Sequence, residues 1–318
     1  MSSTEYVESV APQASLGQVE ERPAQDKLAA LHRLLGAMDS ALVAFSGGAD
    51  SALLAFMAHQ ALGGQALAVT ADSASLARSE LRDAAAFAAR FGLRHRVVPT
   101  SELADEAYLR NGGDRCYFCK SALMRALEAI SSQEPGATEI LVGVNTDDLG
   151  DHRPGQQAVR ERGGRWPLVE VGLSKAEIRW LSRELRLPTW DKPAAACLSS
   201  RIAYGVPVTP AALRRIETAE EALRQMGLPG QVRVRDQGSD LARIEVDPDR
   251  LGLVMERRRE VVAALKDAGF VFVTLDLEGY QQGSHNLTLQ RRPRPQARVA
   301  GGGHDAGRIV IPDREGGQ

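Results

Sequence analysis

The sequence predicts an α/β fold, in which a doubly wound parallel sheet is followed by a smaller C-terminal α+β region. Two observations predict it: short apolar runs alternate with helical patterns in the first half of the chain, and this pattern changes after Pro207. Such alternation is typical of a parallel sheet with helices on both faces. The predicted sheet strands are 41–45, 66–70, 94–98 and 140–144, and the accompanying helices are 27–38, 51–62, 76–91 and 121–130.

The region after Pro207 has the pattern of a separate unit with two hairpin strands. Its predicted elements are a helix over 210–226, strands 231–235 and 241–246, a helix over 248–268 and a strand over 270–275. We therefore predict one domain over 25–205 and a second over 206–290. The two ends of the chain, 1–24 and 291–318, are polar and have no apolar periodicity, which predicts disorder.

The composition limits the class of protein. The chain has 318 residues, of which 39 are basic and 41 acidic, so its net charge of -2 gives none of the strong positive field of a dedicated nucleic-acid binder. The sequence has neither the apolar run of a membrane span nor the core of a signal peptide, so we expect a cytoplasmic protein. Its three cysteines argue against a disulfide framework and leave thiol chemistry or metal ligation.

A glycine turn follows the first predicted strand and opens an apolar, alanine-rich helix. It reads Ser46-Gly47-Gly48-Ala49-Asp50-Ser51, and it aims backbone N–H groups, hydroxyls and a helix N-terminus at one point. This geometry predicts a pyrophosphate site. The turn is not a Walker loop, and an acid among phosphate-binding groups predicts that Asp50 faces Mg²⁺. The alternative is that Asp50 only caps the helix.

Two further polar segments follow predicted strands, at 70–73 and 143–148. Ligands of doubly wound sheets bind beyond the carboxyl ends of the strands, which is where these segments and the glycine turn all fall. We therefore expect the three segments to converge on one site.

The cysteines are candidates for chemistry. Cys197 lies among small residues that leave its sulfur open, and Arg201 favours its thiolate. The alternative is a buried structural thiol. Cys116 and Cys119 form a single C-x-x-C, which is half a metal site unless other ligands complete it. The alternative for this pair is two idle reduced thiols.

Arg233 and Arg235 alternate with valines in a predicted strand, so both guanidinium groups lie on one face. Neighbouring like charges repel unless an anion lies between them, and planar guanidinium groups suit a phosphate. The alternative is a solvated strand face.

The glycine turn resembles the pyrophosphate loop of the N-type ATP pyrophosphatases, the PP-loop family that includes NAD synthetase, GMP synthetase and tRNA thiolases. The stretches 69–73 and 143–148 are similar to the nucleotide site of that family. The resemblance implies cleavage of ATP between the α and β phosphates, with Mg²⁺ at Asp50. The residues that it implies for nucleotide binding are Ser46, Gly47, Gly48, Asp50, Ser51, Thr70, Asp72, Gly143, Asn145 and Asp147.

Three other stretches resemble the LarE family within this group: 192–201 around Cys197, 115–120 around Cys116 and Cys119, and 233–235. The resemblance implies an ATP-dependent sulfur transferase that adenylylates a carboxylate of pyridinium-3,5-biscarboxylic acid mononucleotide and inserts sulfur. The thiocarboxylate product is a precursor of the nickel-pincer nucleotide of lactate racemase. The resemblance implies substrate binding by Arg201, Arg233, Arg235 and, as a weaker candidate, Arg243. We expect a homo-oligomer whose partner is a small nucleotide substrate, with no membrane or nucleic acid.

The resemblance implies two routes for the sulfur. In the first, the Cys197 thiolate attacks the acyl-adenylate and later leaves its sulfur behind, becoming dehydroalanine. In the second, Cys116, Cys119 and Cys197 hold a [4Fe-4S] cluster that relays sulfide. Both routes stay open at the level of the sequence.

Rival functions within the same fold are a tRNA thiolase, an ammonia-dependent synthetase and a non-enzymatic nucleotide sensor. The charge balance argues against the thiolase, which needs a basic surface for RNA. An ammonia-dependent synthetase has no use for an open thiol at Cys197.

Overall fold

The strands of the structure follow the apolar runs of the sequence, and each lies within two residues of its predicted bounds. In chain order they are β1 (Ser40–Ala44), β2 (Ala66–Asp72), β3 (Arg94–Pro99), β4 (Thr138–Val142), β5 (Val232–Asp236), β6 (Leu241–Val246) and β7 (Phe272–Leu275). This computed structural model describes residues 19–134, 138–150, 154–193, 196–281, 283–284 and 287–290.

The helices of the described residues include the predicted ones and several short ones between them. They are α1 (Glu21–Gly36), α2 (Ala49–Leu62), α3 (Arg78–Arg90), α4 (Glu106–Leu109), α5 (Arg115–Ser131), α6 (Pro154–Glu161), α7 (Pro167–Glu170), α8 (Lys175–Glu184), α9 (Pro210–Gln225), α10 (Leu251–Glu256), α11 (Arg258–Asp267) and α12 (Leu287–Gln290). Short 3₁₀ turns lie at Gly63–Gln65, Glu102–Ala104, Thr146–Gly150, Leu198–Arg201 and Pro248–Arg250. The continuous helix predicted over 248–268 is wrong, because α10 ends and α11 begins around Arg257.

Strands β1 to β4 form a parallel sheet in the order β3-β2-β1-β4, which confirms the predicted α/β class. Successive residues of a strand point to opposite faces, and both faces of β1 are buried. Ala41 and Val43 pack in a core with helices α1, α2 and α8, whereas Leu42 and Ala44 pack in a second core with α5. The glycine turn follows the central strand β1 and therefore lies at the carboxyl end of the sheet.

The second sheet has the order β5-β6-β7, with β5 antiparallel and β7 parallel to β6. Val232 and Val234 of β5 pack with Leu213 and Ile216 of α9 in a third core. That core also contains Tyr108 of α4, which precedes the region by about a hundred residues in the chain. A residue from the first half of the chain therefore lies beside the second sheet.

The chain divides into two compact units, residues 1–282 and 283–318, and both sheets belong to the first. The predicted boundary between 205 and 206 lies inside that unit and stays a prediction. Of the N-terminal segment predicted to be disordered, residues 21–24 belong to α1, whereas residues 1–18 and the predicted tail 291–318 lie outside the described residues. None of the helices in the described ranges is long and apolar enough to cross a membrane.

Candidate active site

The glycine turn is braced by its own hydroxyl groups. Ser46 Oγ lies 3.1 Å from Ser51 Oγ, the Ser46 N–H donates to Ser51 Oγ at 3.2 Å, and the Ser51 hydroxyl donates to the Gly48 carbonyl at 3.1 Å. Gly47 has a φ of +74°, and a Cβ there would lie 3.2 Å from Cβ of Ala84. Only glycine combines this φ with so little space without strain. The sequence of the turn therefore suits its tight backbone path into α2.

Asp50 lies in the first turn of α2, and the two oxygen atoms of its carboxylate have different surroundings. Its Oδ2 is 2.5 Å from Nζ of Lys175, whereas its buried Oδ1 has no hydrogen-bond partner among the described residues. A buried carboxylate oxygen without a donor is costly, and such an oxygen is a ligand that Mg²⁺ prefers. The side chain at position 50 therefore fits the predicted magnesium site.

Lys175 reaches the glycine turn from 125 residues away in the chain. It is the first residue of α8, which begins with a capping box formed by Ser174 and Glu177. Its backbone N–H also donates to Oδ2 of Asp147 at 2.9 Å. Lys175 thus joins the turn after β1 to the polar segment after β4, and sequence reasoning missed it because the capping box indicates only a helix start.

The segment after β4 packs directly on the glycine turn. A Cβ on Gly143 would lie 2.9 Å from the backbone nitrogen of Ser51. The two backbone segments can therefore approach this closely only because residue 143 is glycine. Asn145 is buried, and its Oδ1 accepts the Asp147 N–H at 3.0 Å. The predicted convergence of these two segments is therefore present in the structure.

Thr70 and Asp72 lie at the end of β2, on the other side of the turn. The Thr70 hydroxyl is buried, donates to the Phe45 carbonyl at 2.8 Å and lies 2.8 Å from Nε2 of His95, a ring whose pKa is lowered by burial. Asp72 accepts from Arg78 at 2.5 Å at the surface. Thr70 thus supports the backbone that leads into the turn.

Cys197 is half-buried and directly precedes the 3₁₀ turn Leu198–Arg201. Its Sγ lies 3.1 Å from Oγ of Ser199. Burial alone would raise the pKa of this thiol, but the Arg115 guanidinium, the Ser199 hydrogen bond and the Arg201 charge outweigh burial and lower the pKa. A lowered pKa increases the thiolate fraction, which is the nucleophilic form.

Three buried arginines hold the backbone around Cys197, and we call them the arginine cradle: Arg115, Arg201 and Arg235. Arg115 donates to the Ser199 carbonyl at 2.8 Å, and Arg235 donates to the Ser200 carbonyl at 3.0 Å. Arg201 donates to the Cys197 carbonyl at 2.8 Å and to the Ala196 carbonyl. The cradle fixes the segment 196–201 by its carbonyl groups. Arg115 lies in the stretch 115–120, but nothing in the sequence indicates this role for it.

Each of the two predicted substrate arginines of the cradle also has a buried carboxylate partner. Arg201 Nε lies 2.9 Å from Oε1 of Glu220, and the two side chains are 5% and 1% exposed. Arg235 lies 2.7 Å from Oε2 of Glu245, whose Oε1 is 2.9 Å from Arg243. The positive charges of these arginines are therefore largely balanced inside the protein.

Arg233 is buried as well, over the ring of Tyr280, and its guanidinium donates to the Val232 carbonyl at 2.9 Å. Burial and the neighbouring charge of Arg201 lower its pKa. Arg233 and Arg235 are 8% and 6% exposed, so the alternative of a solvated strand face is wrong. Substrate binding by these residues stays a prediction.

The two cysteines of the C-x-x-C lie on α5, close to Cys197. Burial and then the charge of Cys197 raise the pKa of Cys119 to about 12, whereas Cys116 is exposed. Among the described residues, no three His, Cys, Asp or Glu side chains are arranged to hold a metal ion. The described residues therefore contain no preformed site for a single metal ion at these thiols, and the [4Fe-4S] cluster stays a prediction.

Comparisons with known proteins give relatives over most of the chain. A family model described as NAD synthase matches residues 31–112, which include the glycine turn. The chain is 46% identical over 269 residues to the uncharacterized protein slr1717 of Synechocystis sp., covering 84% of this chain and 99% of that protein. It is 35% identical over 266 residues to pyridinium-3,5-bisthiocarboxylic acid mononucleotide synthase of Lactiplantibacillus plantarum, covering 83% and 95%. Uncharacterized protein MJ0830 of Methanocaldococcus jannaschii is 29% identical over 241 residues, covering 76% and 90%.

Proposed function

Since this chain belongs to the family of pyridinium-3,5-bisthiocarboxylic acid mononucleotide synthase, the LarE family of PP-loop enzymes, we propose that it is an ATP-dependent sulfur transferase. The proposed substrate is pyridinium-3,5-biscarboxylic acid mononucleotide. Adenylylation of its carboxylate releases pyrophosphate, and sulfur then replaces the adenylylated oxygen as AMP leaves. The observation that carries the proposal is the half-buried Cys197, whose thiol has a lowered pKa and whose backbone is held by the arginine cradle.

The glycine turn is the proposed site of the ATP phosphates. Its N–H groups, the hydroxyls of Ser46 and Ser51 and the N-terminus of α2 supply the positive electrostatic environment that anions require. Lys175 adds a positive charge at the turn, because its Nζ contacts Asp50. Magnesium held by Asp50 would neutralise charge on the departing pyrophosphate.

The remaining predicted nucleotide residues support this site in different ways. Gly143 gives the chain room to pack on the turn, and Thr70 holds the Phe45 carbonyl. Asp147 is tied to the start of α8 and so to Lys175. We propose that Asn145 and Asp72, at the ends of their strands, line the nucleotide site.

Cys197 is the proposed sulfur donor. Its thiolate attacks the acyl carbon of the adenylate, a C–S bond forms and AMP leaves with the electron pair of the broken C–O bond. Loss of the Cα proton of Cys197 then breaks the Cβ–S bond, so that the thiocarboxylate departs and dehydroalanine remains. The lowered pKa of the thiol supports the first step.

The proposed site of the substrate phosphate is the group of arginines next to the Cys197 segment. Arg233 and Arg235 lie on β5, and Arg243 lies opposite Arg235 on β6. Planar guanidinium groups suit a phosphate, and Arg201 brings a further one from the segment that carries the thiol. This placement supports a substrate whose carboxylate lies near Cys197 while its phosphate lies toward β5.

The test is to supply Mg²⁺, ATP and the biscarboxylic acid mononucleotide to the wild-type protein and to Cys197→Ala. We expect both proteins to release pyrophosphate but only the wild type to form thiocarboxylate. The wild type should lose the elements of H₂S in an intact-mass measurement, and Cys116→Ala should behave like it. The cluster route would instead be supported if the wild-type protein is brown, keeps its mass after turnover and needs Cys116 to form product. Product formation by Cys197→Ala at the wild-type rate would refute the proposal.

A further inference from the structure

A buried chain of hydroxyl groups lies next to Cys197, and none of its residues binds ATP, substrate or sulfur in the proposed function. It consists of Ser75, after β2, Tyr108 of α4 and Ser199. We propose that these three residues are positioning residues, which hold the Cys197 thiol in the orientation from which sulfur is transferred. The inference rests on the proposed function and adds to it the residues that fix the sulfur.

The chain runs from the end of β2 toward the sulfur. The Tyr108 hydroxyl is hydrogen-bonded to Oγ of Ser75, and the Ser199 side chain lies near enough to this hydroxyl to influence the pKa of Tyr108. Oγ of Ser199 is 3.1 Å from Sγ of Cys197. The Leu198 N–H donates to the Ser75 carbonyl at 2.8 Å, so the same serine binds both the chain of hydroxyls and the backbone beside the thiol.

The burial of Tyr108 argues for more than packing. Its side chain is 0% exposed and lies in the apolar core of the second sheet, where a phenylalanine would occupy the same space. Burying a phenol is costly unless its hydroxyl is hydrogen-bonded, and here its partner is Ser75, whose carbonyl also accepts the Leu198 N–H beside Cys197. Burial raises the pKa of Tyr108 well above its usual range, so the group stays neutral and acts as a fixed hydrogen-bonding partner.

The other end of the chain is fixed as well. The Ser75 N–H donates to Oγ of Ser73 at 3.0 Å, and the Ser73 hydroxyl is bonded to the buried carboxylate of Glu102. Ser73 and Ser75 come just after Asp72, the last residue of β2, at the end of the sheet that carries the glycine turn. The position of the thiol is therefore set relative to the nucleotide end of β2, which is what transfer to an adenylate requires.

The test separates adenylylation from sulfur transfer in Tyr108→Phe and, independently, in Ser75→Ala. Pyrophosphate release and thiocarboxylate formation are measured in single turnovers with Mg²⁺, ATP and the mononucleotide substrate. We expect pyrophosphate release to stay within about twofold of wild type, and thiocarboxylate formation to fall about tenfold or more, because a misplacement of about 1 Å can cost about a hundredfold.

The control is Ser40→Ala, which removes a buried hydroxyl bonded to Thr138 at 2.8 Å, at the opposite end of β1. Both rates should stay at the wild-type level in this variant. Thiocarboxylate formation at the wild-type rate in Tyr108→Phe would overturn the inference, and so would an equal fall of both rates, which indicates packing alone. A wild-type protein that makes no thiocarboxylate would refute the proposed function itself.

Discussion

The two arginines that bind Glu220 predict a sharp difference in stability between two similar substitutions. Arg201 binds Oε1 of Glu220 from inside the protein, whereas Arg224 binds Oε2 at 2.8 Å and is 40% exposed. Arg201→Met and Arg224→Met each keep an unbranched apolar stem and remove one charge from the same carboxylate. We expect Arg201→Met to destabilise the protein far more.

The magnitude follows from the burial of the two pairs. Removing one partner of a buried ion pair costs about 3–5 kcal/mol, and we expect the lower end, about 3 kcal/mol, because Glu220 keeps Arg224 and the Val234 N–H. A solvent-exposed pair contributes only about 0.2–1 kcal/mol, which is the cost expected for Arg224→Met. The free energies of unfolding of the two variants should therefore differ by about 2 kcal/mol.

Urea unfolding, followed by tryptophan fluorescence in the absence of ligands, measures both free energies. Equal losses in the two variants would refute this reasoning, because they would mean that the inner pair is no more protected from water than the outer one. A loss below about 1 kcal/mol for Arg201→Met would do the same. Either result would mean that Arg201 contributes little to stability, and would favour a role in substrate binding alone.

Two other predictions concern the nucleotide end and the thiol. Gly143→Ala places a Cβ against the backbone of the first turn of α2 and should lower pyrophosphate release about tenfold. Gly252→Ala adds a Cβ in open space and should leave pyrophosphate release at the wild-type rate. Equal rates of pyrophosphate release in the two variants would contradict the packing argument. Alkylation of Cys197 by iodoacetamide, followed by peptide mass spectrometry, should reach half its maximal rate at a lower pH than that of Cys119, whose pKa is raised to about 12. Arg115→Met should move the Cys197 profile to higher pH, and an unmoved profile would contradict the assigned cause.

The sheet and the glycine turn could be predicted because their signals are local. The apolar runs give the strands of the parallel sheet, and the turn Ser46 to Ser51 has the residues that its backbone requires. The convergence of the segments after β1 and β4 follows from the topology of such sheets. The continuity of the helix over 248–268 was predicted wrongly, because apolar periodicity does not reveal a break that leaves both halves amphipathic.

The partners of the charged residues could not be predicted, because they come from distant parts of the chain. The alternation of Arg233 and Arg235 with valines predicts one face for both, but nothing nearby indicates that Glu220 and Glu245 are buried beside them. Lys175 follows a helix-capping serine and has no motif that points to Asp50. Long-range ion pairs of this kind follow from tertiary packing and have no periodic signature.

The hydrogen bonds of the arginine cradle to the Cys197 segment are made to main-chain oxygen atoms and not to the sulfur. Its contacts run to the carbonyls of Ala196, Cys197, Ser199 and Ser200, and the Leu198 N–H is tied to Ser75. These bonds therefore do not depend on the sulfur atom of residue 197. If Cys197 gives up its sulfur as proposed, the spent protein would keep these bonds, and spent copies would compete for the proposed substrates until they are degraded.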